Sequence, residues 1–303
     1  MRRYALSCVL ITGLAMRPPG EMLTAQNAPP GTDIYLAPLS ISKSACQIGH
    51  AVNLTLRRGY DNQPAFTEDG RSLLYTSIRN DSQADIYRVD LRSRRVVRVT
   101  TTPESEYSPI VYGDGRRFSV VRVEGDSTQR LWSFRLDGSD PRVVLDSMKP
   151  VGYHAWLDDH TVALFVLGRP NILRLADTRT GRSSVVAQNI GRSLVTIAPL
   201  RFSYVQLGDG ARPMLTEVKV SPGSPPTWIT EDLVEMPAGS DYVVWLDTNR
   251  AVAGQGSKLL LWQRGAPGWR ELVDLSTNGV RRISRLALSP GRQWIAIVAA
   301  DGP

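Results

Sequence analysis

The feature of this sequence that most restricts its fold is an internal repeat with a period of about 45 residues. Pro64 and Pro109 lie 45 residues apart, and each begins an apolar segment, a tight turn and a second apolar segment. The turns contain Asp69-Gly70 and Asp114-Gly115, and Asp-Gly supplies the positive φ that a hairpin turn needs. A further copy occupies residues 155–164, fainter copies occupy residues 197–202 and 244–252, and the last copy occupies residues 286–297. The chain is therefore predicted to reuse one supersecondary unit.

Each clear unit also contains a second pair of strands. Its first strand is predicted at Asp85–Leu91 in one unit and at Arg130–Leu136 in the next, where apolar and polar residues alternate. The partner strands are predicted at Val96–Thr100 and Arg142–Leu145. Four short strands in about 45 residues is the spacing of β-propeller blades, and no amphipathic helix of three turns is recognisable. The pattern predicts an all-β fold.

The two ends of the chain are predicted to complete one blade together. Thr32–Leu39 closely matches Ala84–Leu91, which belongs to the outer half of a blade, whereas the C-terminal segment supplies only a hairpin. Pairing the two segments in one sheet would protect two exposed strand edges. We therefore predict a six-bladed β-propeller, formed by residues 27–303 and closed by pairing the N-terminal strands with the C-terminal hairpin.

The first residues are typical of a secretory signal peptide. Met1-Arg2-Arg3 precedes a short apolar run that ends near Met16, which predicts a signal peptide over residues 1–26 and a periplasmic or extracellular location. The alternative is a buried N-terminal strand or helix. No apolar stretch reaches the roughly 18 residues needed to span a membrane, so no transmembrane segment is predicted. Two cysteines and three histidines exclude a disulfide scaffold and a cysteine-rich zinc module.

The charge balance does not favour a nucleic-acid partner. The chain carries 36 Lys and Arg against 29 Asp and Glu, a net charge of +7. A basic surface can bind nucleic acid, but these charges are scattered along the chain rather than clustered, and export separates the protein from nucleic acid. We expect a monomer without a nucleic-acid partner.

The segment Gln63–Thr100 resembles the TolB-type (WD40-like) propeller repeat of bacterial exported proteins. The matching residues are Pro64, Phe66, Asp69-Gly70-Arg71, Tyr75-Thr76-Ser77, Arg79, Asp85-Ile86-Tyr87 and Val99-Thr100. The resemblance extends more weakly over residues 31–303 and implies the blade geometry. We do not expect the α/β domain that precedes the TolB propeller, nor a hydrolase domain, since no Gly-x-Ser-x-Gly elbow is present. Binding to envelope proteins is what the resemblance implies about function.

The candidate ligand-binding residues lie near the start of the first strand of each unit, a position that faces the channel mouth in propellers. They are Tyr60, Asn62, Tyr107, Tyr153, His154 and Asp241. The three tyrosines are expected to share one repeat position, where their rings and hydroxyl groups would suit a peptide or a sugar. The alternative is that they cap the packing between blades. His154 is the one histidine that we retain as a candidate acid or base, although a lone histidine more often makes a structural hydrogen bond.

Two functional hypotheses follow. Asp61, Asn62, Glu106 and Asp241 offer oxygen ligands, but no loop has calcium-binding spacing, so no metal or cofactor is expected. No serine or cysteine has the sequence context of a nucleophile. The first hypothesis is therefore an exported, non-catalytic propeller that binds a protein, peptide or glycan at one rim. The alternative is an enzyme with its site in the channel, either a metal-assisted lactone hydrolase or a polysaccharide lyase, which rests on fold analogy alone.

Overall fold

A computed structural model describes residues 29–43, 45–79, 82–208, 210, 212–223 and 225–301. The predicted signal peptide, residues 1–26, lies outside the described residues. The described chain consists of short β-strands and one 3-10 helix, Ser276–Asn278. No helix in these described ranges is long and apolar enough to cross a membrane. The prediction of an all-β fold is confirmed.

Four of the sheets contain four antiparallel strands each. The second sheet has β8 (Ser105–Tyr112), β9 (Arg117–Val123), β10 (Gln129–Arg135) and β11 (Arg142–Val143). The third sheet has β12 (Val151–Trp156), β13 (Thr161–Val166), β14 (Ile172–Asp177) and β15 (Ser183–Gln188). The fourth sheet has β16 (Ile190–Ala198), β17 (Arg201–Gln206), β18 (Met214–Ser221) and β19 (Thr227–Glu235). The fifth sheet has β20 (Val243–Trp245), β21 (Arg250–Gln255), β22 (Lys258–Gln263) and β23 (Arg270–Asp274).

The first sheet has nine strands and joins the N-terminal and C-terminal parts of the described chain. Its strands are β1 (Thr32–Ile41), β2 (Cys46–Ile48), β3 (Val52–Asn53), β4 (Tyr60–Phe66), β5 (Ser72–Ile78), β6 (Ala84–Asp90), β7 (Val96–Arg98), β24 (Arg285–Leu288) and β25 (Trp294–Ala300). The strand order is β24-β25-β1-β4-β5-β6-β7, and both β2 and β3 pair with β1. β1 is antiparallel to β25 from Thr32–Ala300 to Pro38–Trp294. Its contact with β4 is a single parallel pair, Thr32 with Tyr60, so the sheet divides into two halves there.

Local sequence explains both the turns and a kink in the first strands. Gly70 and Gly115 adopt φ values of +66° and +74°, which supports the prediction from the Asp-Gly pairs. Gln63 and Ser108 also have positive φ, at 57° and 54°, and each lies where the pairing register shifts. Such β-bulges bend the strand and change the direction of its side chains. The bulges therefore help to shape the wall formed by β4 and β8.

The first strands β4, β8, β12, β16 and β20 and the C-terminal strand β24 contact one another in series. β4 contacts β8, β8 contacts β12, β12 contacts β16, β16 contacts β20, β20 contacts β24, and β24 contacts β4. Buried apolar clusters fill the space between neighbouring sheets. Leu74 and Phe118 belong to one of them, and Val121 and Leu164 to the next. Burying each large apolar side chain stabilises the fold by about 1.5–3 kcal/mol. These strands surround the cavity that contains the candidate site.

Candidate functional site

The first strands enclose a central cavity of about 370 Å³. Most of its wall is apolar, including Ile110, Leu194, Val244 and Leu286. Its charged residues are the three arginines Arg192, Arg285 and Arg292. Of the described residues that line it, none is an aspartate or a glutamate. The cavity is therefore an apolar channel with a positive electrostatic potential.

One mouth of this cavity is lined by Tyr153, Tyr242, Arg192 and Arg285, and Tyr60 and Tyr107 lie close to these residues; we call the six residues the tyrosine mouth. Burial raises the pKa of Tyr60 to about 12, and the charges of Arg285, Tyr153, Tyr107 and Arg192 also act on its hydroxyl group. Tyr60, Tyr107 and Tyr153 therefore approach one another from three different sheets, and Tyr242, which directly precedes the fifth sheet, shares Arg285 with Tyr153. The predicted candidates Tyr60, Tyr107 and Tyr153 are brought to the same place.

Arg285 is the central cation of the tyrosine mouth. It is the first residue of β24, and only 5% of its surface is exposed. Its guanidinium carbon lies 4.8 Å from the ring centroid of Tyr153 and 4.8 Å from that of Tyr242. A cation between two aromatic rings is stabilised by the ring quadrupoles, which offsets part of the free energy lost on dehydration. The two rings therefore fix a buried positive charge at the cavity wall.

Arg192 differs from Arg285 because it has a carboxylate partner. Its Nε donates a hydrogen bond to Oδ2 of Asp241 at 2.8 Å, and both side chains are partly exposed. Burial opposes the charge of Arg192, but the hydrogen bond and charge of Asp241 outweigh this effect and raise the arginine pKa. The predicted site residue Asp241 thus lies at the mouth as the partner of an arginine.

The expectation that Tyr60, Tyr107 and Tyr153 share one repeat position is wrong. Tyr60 pairs with Ile78, the last residue of β5, whereas Tyr107 pairs with Val121, two residues before the end of β9. A shift of 45 residues places Asn62, rather than Tyr60, at the position of Tyr107. The tyrosines approach one another although Tyr60 is the first residue of β4 and Tyr107 the third residue of β8, so their convergence is a tertiary effect.

Asn62 is buried rather than displayed at the mouth. Its Nδ2 donates to Oγ1 of Thr32 at 3.2 Å, and its Oδ1 accepts a hydrogen bond from the backbone N–H of Gln63 at 2.7 Å. Thr32 begins β1, so this side chain holds the junction between β1 and β4. The structure therefore places Asn62 in a structural contact beside the bulge.

His154 lines the cavity but is only 3% exposed. Its Nε2 lies 2.6 Å from Oγ of Ser119, which also accepts a hydrogen bond from Nε1 of Trp156 at 2.9 Å. Burial lowers the pKa of His154 to about 3, so the ring is neutral at neutral pH. We assign the proton to Nε2. The buried Nδ1, which has no hydrogen-bond partner among the described residues, is then an unpaired acceptor rather than an unpaired donor. His154 is a hydrogen-bonded residue of the boundary between sheets.

The carboxylates considered as metal ligands lie apart, each beside its own arginine. Asp61 is fully buried, with Oδ2 3.0 Å from Nε of Arg57. Glu106 is also fully buried, with Oε1 3.5 Å from Nε of Arg122, and burial raises its pKa to about 7. Within the described part of the chain, no three His, Cys, Asp or Glu side chains are grouped as metal ligands would be. Each of these carboxylates is therefore held by an arginine rather than grouped around a shared site.

The candidate ligand-binding residues chosen from the sequence did not include Arg192, Tyr242, Arg285 and Arg292, which line the cavity. The first three lie beside the predicted candidates, just before or at the start of a first strand. Their common signal is a large polar side chain where an inner strand would otherwise be apolar. Arg292 follows the turn residues Pro290-Gly291 and reaches the cavity from the opposite end of β24. Among 36 basic residues, only the three-dimensional contacts distinguish these arginines.

Comparisons with known proteins identify the fold. No protein-family model matches the chain. The structure of putative TolB from Agrobacterium tumefaciens matches with a TM-score of 0.65 and 13% identity, over 90% of this chain and 99% of that chain. A gluconolactonase from Xanthomonas campestris, XC5397, matches with a TM-score of 0.63 and 9% identity, over 91% of this chain and 99% of that chain. The fold is a TolB-like β-propeller.

A third match has a narrower extent. TolB from Acinetobacter baumannii matches with a TM-score of 0.50 and 18% identity, over 61% of this chain. The match spans 49% of that TolB chain, so this protein corresponds to about half of it. At these identities the likeness concerns the fold, and the candidate site must be interpreted from its own residues.

Proposed function

We propose that this protein is an exported propeller of six blades that binds a protein segment, peptide or glycan at the tyrosine mouth and catalyses no reaction. The closed cycle of six first strands supports the blade number, and the pairing of β1 with β25 supports a blade built from both chain ends. The basic and apolar start of the chain, together with the likeness to TolB, supports a periplasmic or extracellular location.

The observation that carries the binding proposal is the convergence of four tyrosines and two arginines at one mouth of an apolar cavity. Tyrosine and arginine are enriched among residues that dominate binding energy, because they offer large contact areas together with hydrogen-bond donors. Tyr60, Tyr107 and Tyr153 come from three sheets and Tyr242 directly precedes the fifth sheet, so the packing of one sheet does not require them together. Such a surface suits a ligand that inserts into the channel mouth.

The proposal of binding rather than catalysis rests on the chemistry of His154. A general acid or base needs a proton-transfer group within reach of a substrate and a pKa near the working pH. His154 is buried and neutral, and Ser119, its hydrogen-bond partner, is fully buried. The two groups therefore satisfy each other and do not present a nucleophile to the channel.

The experiment is selection of ligands from a random peptide library and from a glycan array, followed by affinity measurement on variants. Tyr107→Ala and Tyr153→Ala are expected to weaken binding at least tenfold. Tyr112→Ala is the matched control, because Tyr112 ends the same strand that contains Tyr107 and stacks on Trp156, 4.1 Å away at the other end of the cavity. The proposal fails if neither collection yields a ligand, or if selected ligands bind the Tyr153→Ala and Tyr112→Ala variants equally well.

A further inference from the structure

Two arginines of the channel have no acidic partner among the described residues. The Arg285 guanidinium contacts two aromatic rings, and no described oxygen accepts a hydrogen bond from it. The Arg292 side chain likewise makes no ion pair or hydrogen bond with the residues that the structure describes. A guanidinium has five N–H donors, and leaving them unbonded in a partly dehydrated channel is unfavourable. Both side chains therefore have binding capacity that the protein itself does not use.

Arg192 shows that this fold supplies a carboxylate where an arginine needs one for structure. Its ion pair with Asp241 spans the fourth and fifth sheets at the same mouth. Arg57 and Arg122 are likewise paired with buried carboxylates. Arg285 is more buried than Arg192 and still lacks such a partner. Among these arginines, it is therefore Arg285, at the cavity wall, that has no carboxylate partner in the described part of the chain.

Arg292 extends the positive potential to the other end of the cavity. It lies in the turn after β24, at the end where β4, β12 and β20 place Phe66, Trp156 and Trp245. Burial lowers the pKa of Arg292, and Asp247 opposes this effect only partly, because Asp247 is already paired with Arg250 at 2.7 Å. A narrow apolar channel with charges of one sign concentrates ions of the opposite sign. The channel is therefore suited to an anion.

The walls favour an amino-acid chain over a sugar as the carrier of that anion. Each of the Tyr153 and Tyr242 rings has Arg285 against one face, and Trp156 is stacked on Tyr112. These contacts cover ring faces that could otherwise stack against a sugar ring. The rest of the wall is mostly aliphatic and has few groups that could bond to sugar hydroxyls. Aliphatic side chains of a peptide fit such a wall better.

Resting on the proposed binding at the tyrosine mouth, we infer that the ligand is a peptide segment that carries a carboxylate, bound by Arg285 and attracted by Arg292. Guanidinium and carboxylate match as two parallel N–H···O hydrogen bonds. The aromatic rings on either side hold Arg285 in place, so little side-chain entropy is lost on binding. The carboxylate belongs to a Glu or Asp side chain or to the chain terminus, and the test separates these sources.

The test measures peptide affinity by calorimetry at low ionic strength, where screening is weak. The probes are acetyl-Leu-Glu-Leu-amide, its Gln analogue as the neutral match, the Gln analogue with a free terminal carboxylate, and digalacturonate. At least one peptide with a carboxylate is expected to bind ten times or more tightly than the neutral peptide. Which of the two acidic peptides binds identifies the source of the carboxylate.

The variants assign the binding to the channel arginines. Arg285→Gln is expected to lower the affinity for acidic peptides at least tenfold, and Arg292→Gln to lower it severalfold. Arg285→Lys is expected to lower it less than Arg285→Gln does. Arg116→Gln, which removes the same charge from an exposed turn, is the control and is expected to have no effect. Urea unfolding of each variant verifies that it is folded, and Arg292→Gln keeps the test valid should Arg285→Gln fail to fold.

Each other outcome overturns the inference. It is wrong if acidic and neutral peptides bind alike, if no probe binds, if only digalacturonate binds, or if Arg285→Gln binds acidic peptides as tightly as Arg116→Gln. Peptides from the library that require Tyr153 but carry no carboxylate would overturn this inference and leave the proposed function standing. A library and an array without any ligand would remove the proposed function itself.

Discussion

The indole N–H of Trp156 donates a hydrogen bond to Oγ of Ser119 at 2.9 Å, across the boundary between the third and second sheets. The same contact recurs between the fifth and fourth sheets, where Trp245 donates to Ser203 at 2.8 Å. Each serine ends an Arg-Phe-Ser run at the start of the second strand of its sheet. A tryptophan at the end of a first strand thus joins its sheet to the preceding one by a polar contact within an apolar boundary.

Removing either serine hydroxyl is expected to destabilise the protein. Ser203→Ala leaves the N–H of the buried Trp245 without an acceptor, which should lower the free energy of unfolding by about 1–3 kcal/mol. Ser119→Ala should lower it further, because Nε2 of His154 loses the same partner. Urea denaturation monitored by tryptophan fluorescence measures both changes.

Ser221→Ala is the control for these two variants. Ser221 ends β18 with an exposed side chain, so its replacement should change the free energy of unfolding by less than about 0.5 kcal/mol. Equal effects of Ser203→Ala and Ser221→Ala would contradict a stabilising role for the contacts between sheets.

The strands were more predictable than the site, for a physical reason. A strand is specified by local alternation and turns: the segment predicted at Asp85–Leu91 is β6 at Ala84–Asp90, and that at Arg130–Leu136 is β10 at Gln129–Arg135. The sequence match between Thr32–Leu39 and Ala84–Leu91 likewise predicted that β1 is a strand equivalent to β6.

The candidate site depends instead on distances between sheets, which a repeat pattern does not encode. Tyr60 and Tyr107 approach each other although they occupy different repeat positions. Arg285 is a candidate binding residue because no described carboxylate pairs with it. Its sequence neighbours, Ser284 and Leu286, do not reveal this. Sequence reasoning therefore proposed the tyrosines near the start of the first strands, which the structure brings close together, and did not select the arginines beside them.

The buried carboxyl group of Glu106 should make stability depend on pH. Burial raises its pKa to about 7 in the folded protein, from 4.5 for an exposed glutamate. The folded protein then holds the proton more tightly than the unfolded chain. The stability that Glu106 contributes is thus complete below pH 4.5 and is lost as the pH rises through 7.

The Glu106→Gln variant isolates this effect. Between pH 4.5 and pH 8 it should gain about 1–3 kcal/mol of unfolding free energy relative to the wild type, as measured by urea denaturation at several pH values. His154 acts in the opposite direction, because burial lowers its pKa to about 3 and its contribution is lost as the pH falls below 6.5. That contribution cancels in the difference between the two proteins. A constant difference across this range would show that Glu106 is ionised in the folded state.

Metal analysis distinguishes the binding proposal from the metal-assisted enzyme. The carboxylates of Asp61, Glu106 and Asp241 are each paired with an arginine, so we expect well below one divalent ion per chain after dialysis against calcium or manganese. Chelation should leave the thermal unfolding midpoint unchanged. A stoichiometric ion that is lost in the Asp61→Ala or Asp241→Ala variant would favour the lactone hydrolase or lyase alternative.

A circular permutant tests whether the two chain ends complete one blade. The backbone N–H of Asp301 donates to the carbonyl of Gly31 at 3.1 Å, so a short Gly-Ser linker can join the ends, with new ends placed at the exposed turn residue Gly181. The permutant should fold with an unfolding free energy within about 2 kcal/mol of the wild type, since closing a short loop adds little entropic penalty. Deleting residues 29–41 is the comparison: it removes β1 and exposes the edge of β25, so cooperative unfolding should be lost. If that deletion leaves the urea midpoint unchanged, the pairing of β1 with β25 does not hold the ring together.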